Sequence, residues 1–178
     1  MTEPILIVSG PPGAGKTTLA RRLAETADIA SVHLHTDDFY GAIKVGFIWP
    51  WLAQSHPQNK IVTRAIVAAA AEYAAGGYRV VIDGVIGPWF LDVYREAAQR
   101  LGVALDYVLL RPDRATAVAR ARDRDSTPLA DYPPGLYESF AELGPLELHV
   151  IDTTDPDVEA LAVRVRAGLA DGRFRLRD

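Results

Sequence analysis

Residues 10–18 read Gly-Pro-Pro-Gly-Ala-Gly-Lys-Thr-Thr, residue types and a spacing that suit one chemical task, the holding of a polyphosphate. Gly10, Gly13 and Gly15 lack a Cβ, so the backbone can turn its N–H groups around a β-phosphate while the following helix presents its positive end to the same anion. Pro11, Pro12 and Ala14 fill the rest of the loop. Lys16 is placed to reach the β- and γ-phosphates, Thr17 to offer its hydroxyl to Mg²⁺, and Thr18 follows in the same turn. A chance match in a chain of this length is on the order of one in a hundred. Lys16 is one of only three lysines, which makes chance a still poorer explanation. A nucleoside triphosphate with Mg²⁺ is the expected ligand.

Transfer of a phosphoryl group from such a nucleotide needs a carboxylate that orients the acceptor and takes its proton. Asp37 and Asp38 both qualify, with Asp37 ahead as the catalytic group. Asp38 is read as a cap for a helix starting near Phe39 or as a magnesium residue acting through water. Asp83 follows Val80-Val81-Ile82, the pattern of a magnesium-binding strand end, although a turn residue before Gly84 would look the same. Asp152-Thr153-Thr154 stands at a third such strand end. His33 and His35 alternate along a strand and share a face; with no third ligand nearby they are expected to pack under the acceptor site and not to bind metal.

Five arginines lie between Arg111 and Arg124. Arg120 and Arg124, spaced i to i+4, can share one helix face and neutralise the charge that spreads over a transferring phosphoryl group, whereas Arg114 and Arg122 read as surface residues. A lid over about residues 120–135 is expected, with Ser126 to Pro134 forming its second part. The segment of about 38–60 carries Phe39, Tyr40, Phe47, Trp49 and Trp51, then Gln54, His56, Gln58 and Asn59. Aromatic faces beside amides suit an acceptor that is partly apolar and rich in hydroxyls, such as a nucleoside, sugar or antibiotic. No arginine lies between Thr36 and Lys60 to clamp an acceptor phosphate, leaving Lys44 and Arg64 as single anion contacts.

These groups need a scaffold that brings strand ends together. Apolar runs at Ile5 to Val8, Ser31 to Leu34, Val80 to Ile82, Leu105 to Leu110 and Leu148 to Ile151 have the length and bounding residues of buried parallel strands. Helical patterns lie between them at Thr17 to Ala27, Ile61 to Ala75, Pro88 to Leu101 and Asp113 to Arg122, and a last one runs from Asp155-Pro156 to about Leu169. The expected fold is an α/β three-layer sandwich around a five-stranded parallel sheet, in one domain of 178 residues.

Composition narrows the classes. A net charge of -4 and a pI near 5.6 give no electrostatic basis for nucleic-acid or membrane partners. The absence of cysteine removes disulfides, thiol catalysis and cysteine metal sites. Glu3 and a short apolar run opening into the glycine loop do not make a signal peptide, so a cytoplasmic location is expected; a monomer or homodimer is the expected assembly.

Taken together, Gly10 to Thr18, Asp37-Asp38, Asp83, the arginine-rich lid and Asp152-Thr153 resemble the small-molecule kinases of the P-loop superfamily, among them shikimate kinase, gluconate kinase and chloramphenicol phosphotransferase. The run His33 to Asp38, continuing through Ile43 to Gly46, Pro50 to Leu52 and Gln54 to Asn59, is similar to a bacterial branch whose members carry kinase and cytidylate kinase labels. This resemblance implies a strand order of 2-3-1-4-5, ATP and Mg²⁺ as cofactors, and a lid closing over the phosphates. It also implies Asp37 as the acceptor-activating aspartate, Arg120 near adenine, Arg124 as the lid arginine, and Asp152 and Thr153 beside the nucleotide. Shikimate kinases have a glycine cluster where this chain has Asp83-Gly84-Val85, and their acceptor arginines have no match here.

The leading expectation is transfer of the γ-phosphoryl group of ATP to a hydroxyl of a small molecule, with a nucleoside monophosphate kinase as the alternative. A nucleotide-hydrolysing ATPase or switch protein is the alternative of another class. The guanine-reading Asn/Thr-Lys-x-Asp element of a GTPase is absent from the sequence.

Overall fold

The computed structural model describes residues 3–122, 135–155 and 157–177. Short apolar runs and longer helical ones alternate as β1 (Ile5–Ser9), α1 (Lys16–Glu25), β2 (Ser31–His35), α2 (Thr36–Gly41), α3 (His56–Ala75), β3 (Arg79–Asp83) and α4 (Pro88–Leu101). They continue as β4 (Leu105–Leu110), α5 (Arg114–Arg122), β5 (Val150–Ile151) and α6 (Val158–Ala170). The strands form one five-stranded parallel sheet in the order β2-β3-β1-β4-β5, as expected.

β1 is buried along its length, and the pleat divides its side chains between two cores. Ile5 and Ile7 pack with Val62 and Ile66 of α3 and Leu91 and Tyr94 of α4. Leu6 and Val8 pack with Leu19 and Leu23 of α1 and Val165 of α6. Each such side chain, fully withdrawn from water, contributes about 1.5–3 kcal/mol. The register pairs Val8 with Asp83 and Asp83 with His35, so the ends of β1, β3 and β2 lie side by side where the glycine loop begins.

Several boundaries differ from the sequence expectation. α3 starts at His56, with Pro57 in its first turn, so a segment read as loop is helical. α2 starts directly at the end of β2 with His35 at its N-cap and no side-chain cap, so Asp38 is not a capping residue. The cap of α6 is Asp157, whose carboxylate accepts from the N–H groups of Glu159 and Ala160, and not Asp155.

β5 is two residues long, because Gly144–His149 winds as a 3₁₀ turn with Leu148 exposed. The chain end covers the part of β4 that this short strand leaves open: Tyr107 N–H donates to Phe174 O at 2.8 Å and Leu176 N–H to Leu105 O at 2.9 Å. Arg175 joins Asp106 at 2.8 Å in the same antiparallel contact. Phe174 is fully buried against Gly168, where a Cβ would collide with its ring. Phe174→Ala is therefore expected to lower stability by about 3–5 kcal/mol, read as a lower denaturant midpoint at unchanged slope. A loss under about 1 kcal/mol would show that the tail does not close this edge.

Candidate active site

The glycine loop leaves β1 and enters α1 through glycines with positive φ, among them Gly13 at 78° and Gly15 at 91°. Gly13 also admits a close approach, since a Cβ there would strike the carbonyl of Ala117 in α5. Gly15 is the N-cap of α1, with no side-chain cap and no acidic residue in the first turn, so no side chain competes for the helix's opening N–H groups. Lys16 is buried, and its Nζ donates to Pro11 O at 3.0 Å, bending the side chain back across the loop. This donor set fits a polyphosphate.

Behind the loop, the Thr17 hydroxyl donates to Asp83 Oδ2 at 2.7 Å. Asp83 is fully buried, and its Oδ1 faces both His33 Nε2 at 2.6 Å and His35 Nδ1 at 2.9 Å. Burial alone would raise its pKa, but the hydrogen bonds from His33, His35 and Thr17 outweigh it and hold the carboxyl well below the usual range. The far nitrogen of His35 lies 3.4 Å from Asp37 Oδ2. Hydrogen bonding to Asp37 and then to Asp83 raises His35 to about 10, and the same His35 contact lowers Asp37. Thr17, Asp83, His35 and Asp37 thus form one chain of contacts from the start of α1 to the start of α2.

A hydroxyl beside a carboxylate offers the hard oxygens that Mg²⁺ prefers. Among the described residues there is no group of three or more His, Cys, Asp or Glu side chains able to hold a metal ion. Asp38 is exposed and outside the cleft lining.

The cleft has a volume of about 840 Å³. Its lining combines Lys16, Thr17, His35 and Asp37 with the aromatic side chains of Tyr40, Phe47, Trp49, Trp51 and Trp89. Phe47 meets Trp49 edge-on at 5.2 Å, and Trp49 stacks on Trp51 at 4.8 Å with 19° between the planes. Burial pushes Tyr40 up to about 12.

The amides expected to face an acceptor do something else. Gln58 takes the Ile48 N–H at 2.8 Å and donates to Ile48 O at 2.6 Å. Asn59 donates to Pro50 O at 2.7 Å and accepts from the Tyr40 hydroxyl at 3.1 Å. Both hold the aromatic loop to the start of α3. Gln54, His56 and Arg64 are exposed and outside the cleft lining, and Lys44 turns back onto Gly41 O at 2.7 Å.

On the nucleotide side, Thr153 is buried and its hydroxyl donates to Ala14 O at 3.1 Å. Arg120 donates to the carbonyls of Thr153 and Thr154 at 2.8 and 2.9 Å, so it stands beside the loop without lining the cleft. The Asp152 carboxylate is exposed and taken up by the N–H and hydroxyl of Thr154. Arg111 and Arg114 form ion pairs with Glu147 and Glu138. Arg124 and the lid expected over Ser126 to Pro134 lie outside the described residues.

Sequence reasoning missed Arg21 and Trp89, which both line the cleft. Arg21 is four residues after Thr17 on α1, a spacing that puts both on one helix face. Trp89 follows Pro88 just beyond β3, where the rule that ligands gather past strand ends also pointed.

The fold is that of P-loop small-molecule kinases. A sugar kinase from Janibacter sp. HTCC2649 superposes with a TM-score of 0.66 at 22% identity, covering 94% of each chain. The tunicamycin resistance protein of Deinococcus radiodurans gives 0.68 at 19% identity, covering 94% of this chain and 96% of that one. In sequence, a cytidylate kinase from Pyrobaculum arsenaticum is 30% identical over 92 residues, 52% of this chain and half of that protein's length. No helix among the described residues is long and apolar enough to cross a membrane. With the family model AAA_33, described as an AAA domain, matching residues 5–132 from β1 through α5, the chain belongs to that family.

Proposed function

We propose that this protein is an ATP-dependent phosphotransferase that moves the γ-phosphoryl group to a hydroxyl of a small molecule. One observation carries the reading: the carboxylate of Asp37 opens on the same cavity as Lys16 and Thr17, with an aromatic wall beyond it. The loop N–H groups and Lys16 would hold the phosphates, Thr17 and Asp83 the Mg²⁺, and Arg120 and Thr153 would support the loop from the nucleotide side. Bound Mg·ATP would supply the phosphoryl group and a cation that neutralises the charge developing on it.

The chain's own work is positioning and proton transfer. Asp37, kept ionised by its contact with His35, would accept the proton of the acceptor hydroxyl as that oxygen bonds to the γ-phosphorus and the phosphorus–oxygen bond to ADP breaks, ADP leaving. The apolar wall of Tyr40, Ile43 and the indoles keeps water, the competing acceptor, away from the same point.

A second reading, transfer to a nucleoside monophosphate, is favoured by Arg21, which lines the cleft and forms no ion pair among the described residues. The partial likeness to a cytidylate kinase points the same way.

The test is ADP release from Mg·ATP against nucleosides, nucleoside monophosphates, sugars, sugar acids and hydroxylated antibiotics. Stimulation by one acceptor class over a slow background is expected; rapid release indifferent to every acceptor would replace the kinase with an ATPase. Asp37→Asn should retain nucleotide binding and lose about 10²–10⁴-fold in transfer rate, and transfer at the normal rate would remove Asp37 from its role. Lys16→Ala should lower turnover by about 10²–10³-fold whichever acceptor is used.

A further inference from the structure

All three tryptophans of the chain, Trp49, Trp51 and Trp89, line this one cleft. Trp49 leans one face on Trp51 and remains 46% exposed, and Trp89 is 56% exposed. Apolar ring surface left in water is unfavourable, and covering it with a ligand recovers that free energy. Both are held in place. Gln58 and Asn59 clamp the backbone around Trp49 at Ile48 and Pro50. Trp89 meets Phe140 edge-on at 5.2 Å and lies across Gly87, where a Cβ would collide with the indole. Gly87 has φ of -81°, which any residue adopts, so the need for glycine there is steric and serves the indole.

The Tyr40 hydroxyl within this aromatic wall and the amides of Gln58 and Asn59, which lie outside the cleft lining, are already engaged. The amides of Gln58 and Asn59 bond the loop backbone, and the Tyr40 hydroxyl bonds Asn59. A bare polyol or sugar acid needs many such groups to replace its water, whereas the face of a flat ring needs only apolar cover.

We infer that the acceptor is a ring-bearing alcohol of the nucleoside type, whose flat ring stacks on the platform of Trp49 and Trp89 while its hydroxyl reaches Asp37. This inference rests on the phosphotransferase reading of the cleft and assigns its acceptor class. Trp89 sets specificity by covering the ring face, and Gln58 is a positioning residue that acts through the loop.

Tryptophan fluorescence tests this without turnover, because every indole reports on the cleft. Cytidine and chloramphenicol serve as ring-bearing alcohols, with ribose and gluconate as matched ringless probes, each titrated in the presence of Mg·ADP. At least one ring-bearing probe is expected to bind about tenfold or more tightly than ribose and gluconate. Trp89→Ala and Gly87→Ala should remove that preference, with Trp49 and Trp51 still reporting, and Trp89→Phe should restore most of it. Equal binding of ribose or gluconate, no binding by either ring-bearing probe, or an unchanged preference in Trp89→Ala would overturn the inference. A probe that binds by its ring yet never stimulates ADP release would uphold this platform and count against the phosphotransferase reading alone.

Discussion

Asp83 carries a carboxylate fully out of water at the end of β3. An isolated charge in that position would cost several kcal/mol, so the surrounding chain has to supply its partners. It does so from two other elements: the Thr17 hydroxyl from α1, and His33 and His35 from β2. The strand order β2-β3-β1 is what makes this possible, because β3 then lies between the strand that carries the histidines and the strand that feeds the glycine loop. Gly84, next in the chain, leaves no room for a Cβ against the buried Thr36, so β3 can end only in close contact with the start of α2. His35 extends the constraint to Asp37, and the two aspartates are placed by the same buried charge.

The cleft in front of this network has a mixed lining: the cation of Lys16, the hydroxyl of Thr17 and the carboxylate of Asp37 stand in it together with aromatic and aliphatic side chains. Covering the apolar part of that lining would remove water from the charged groups, and charge interactions strengthen as the local dielectric falls. The aromatic loop can have this effect only if it stays in place without a ligand. The paired bonds between Gln58 and Ile48 give it that independence, since they resemble a rung of a sheet ladder made by a side chain.

The parts legible in the sequence were those encoded in local pattern. The glycine loop, Asp83 at a strand end, the α4 boundaries and the parallel sheet follow from spacing and hydrophobic period, and the strand order from the resemblance to P-loop kinases. What escaped depends on partners distant in the chain. The double use of His33 and His35 becomes visible only when the register sets Asp83 beside His35. Gln58 and Asn59 look like ligand-binding amides until the fold turns them toward Ile48 and Pro50. The closure of β4 by residues 174–176 is a contact between strand and tail some seventy residues apart, for which no local pattern exists.

α5 shows how far the loop's influence extends. Its Ala117 carbonyl packs where a side chain on Gly13 would be, its Arg120 holds the carbonyls of Thr153 and Thr154, and Thr153 in turn bonds Ala14. One backbone contact, Ala117 against Gly13, and one bridge through the Arg120 guanidinium and Thr153 therefore tie this helix to the glycine loop. A rearrangement of the loop around a polyphosphate would have to shift α5, because packed groups at van der Waals contact move together.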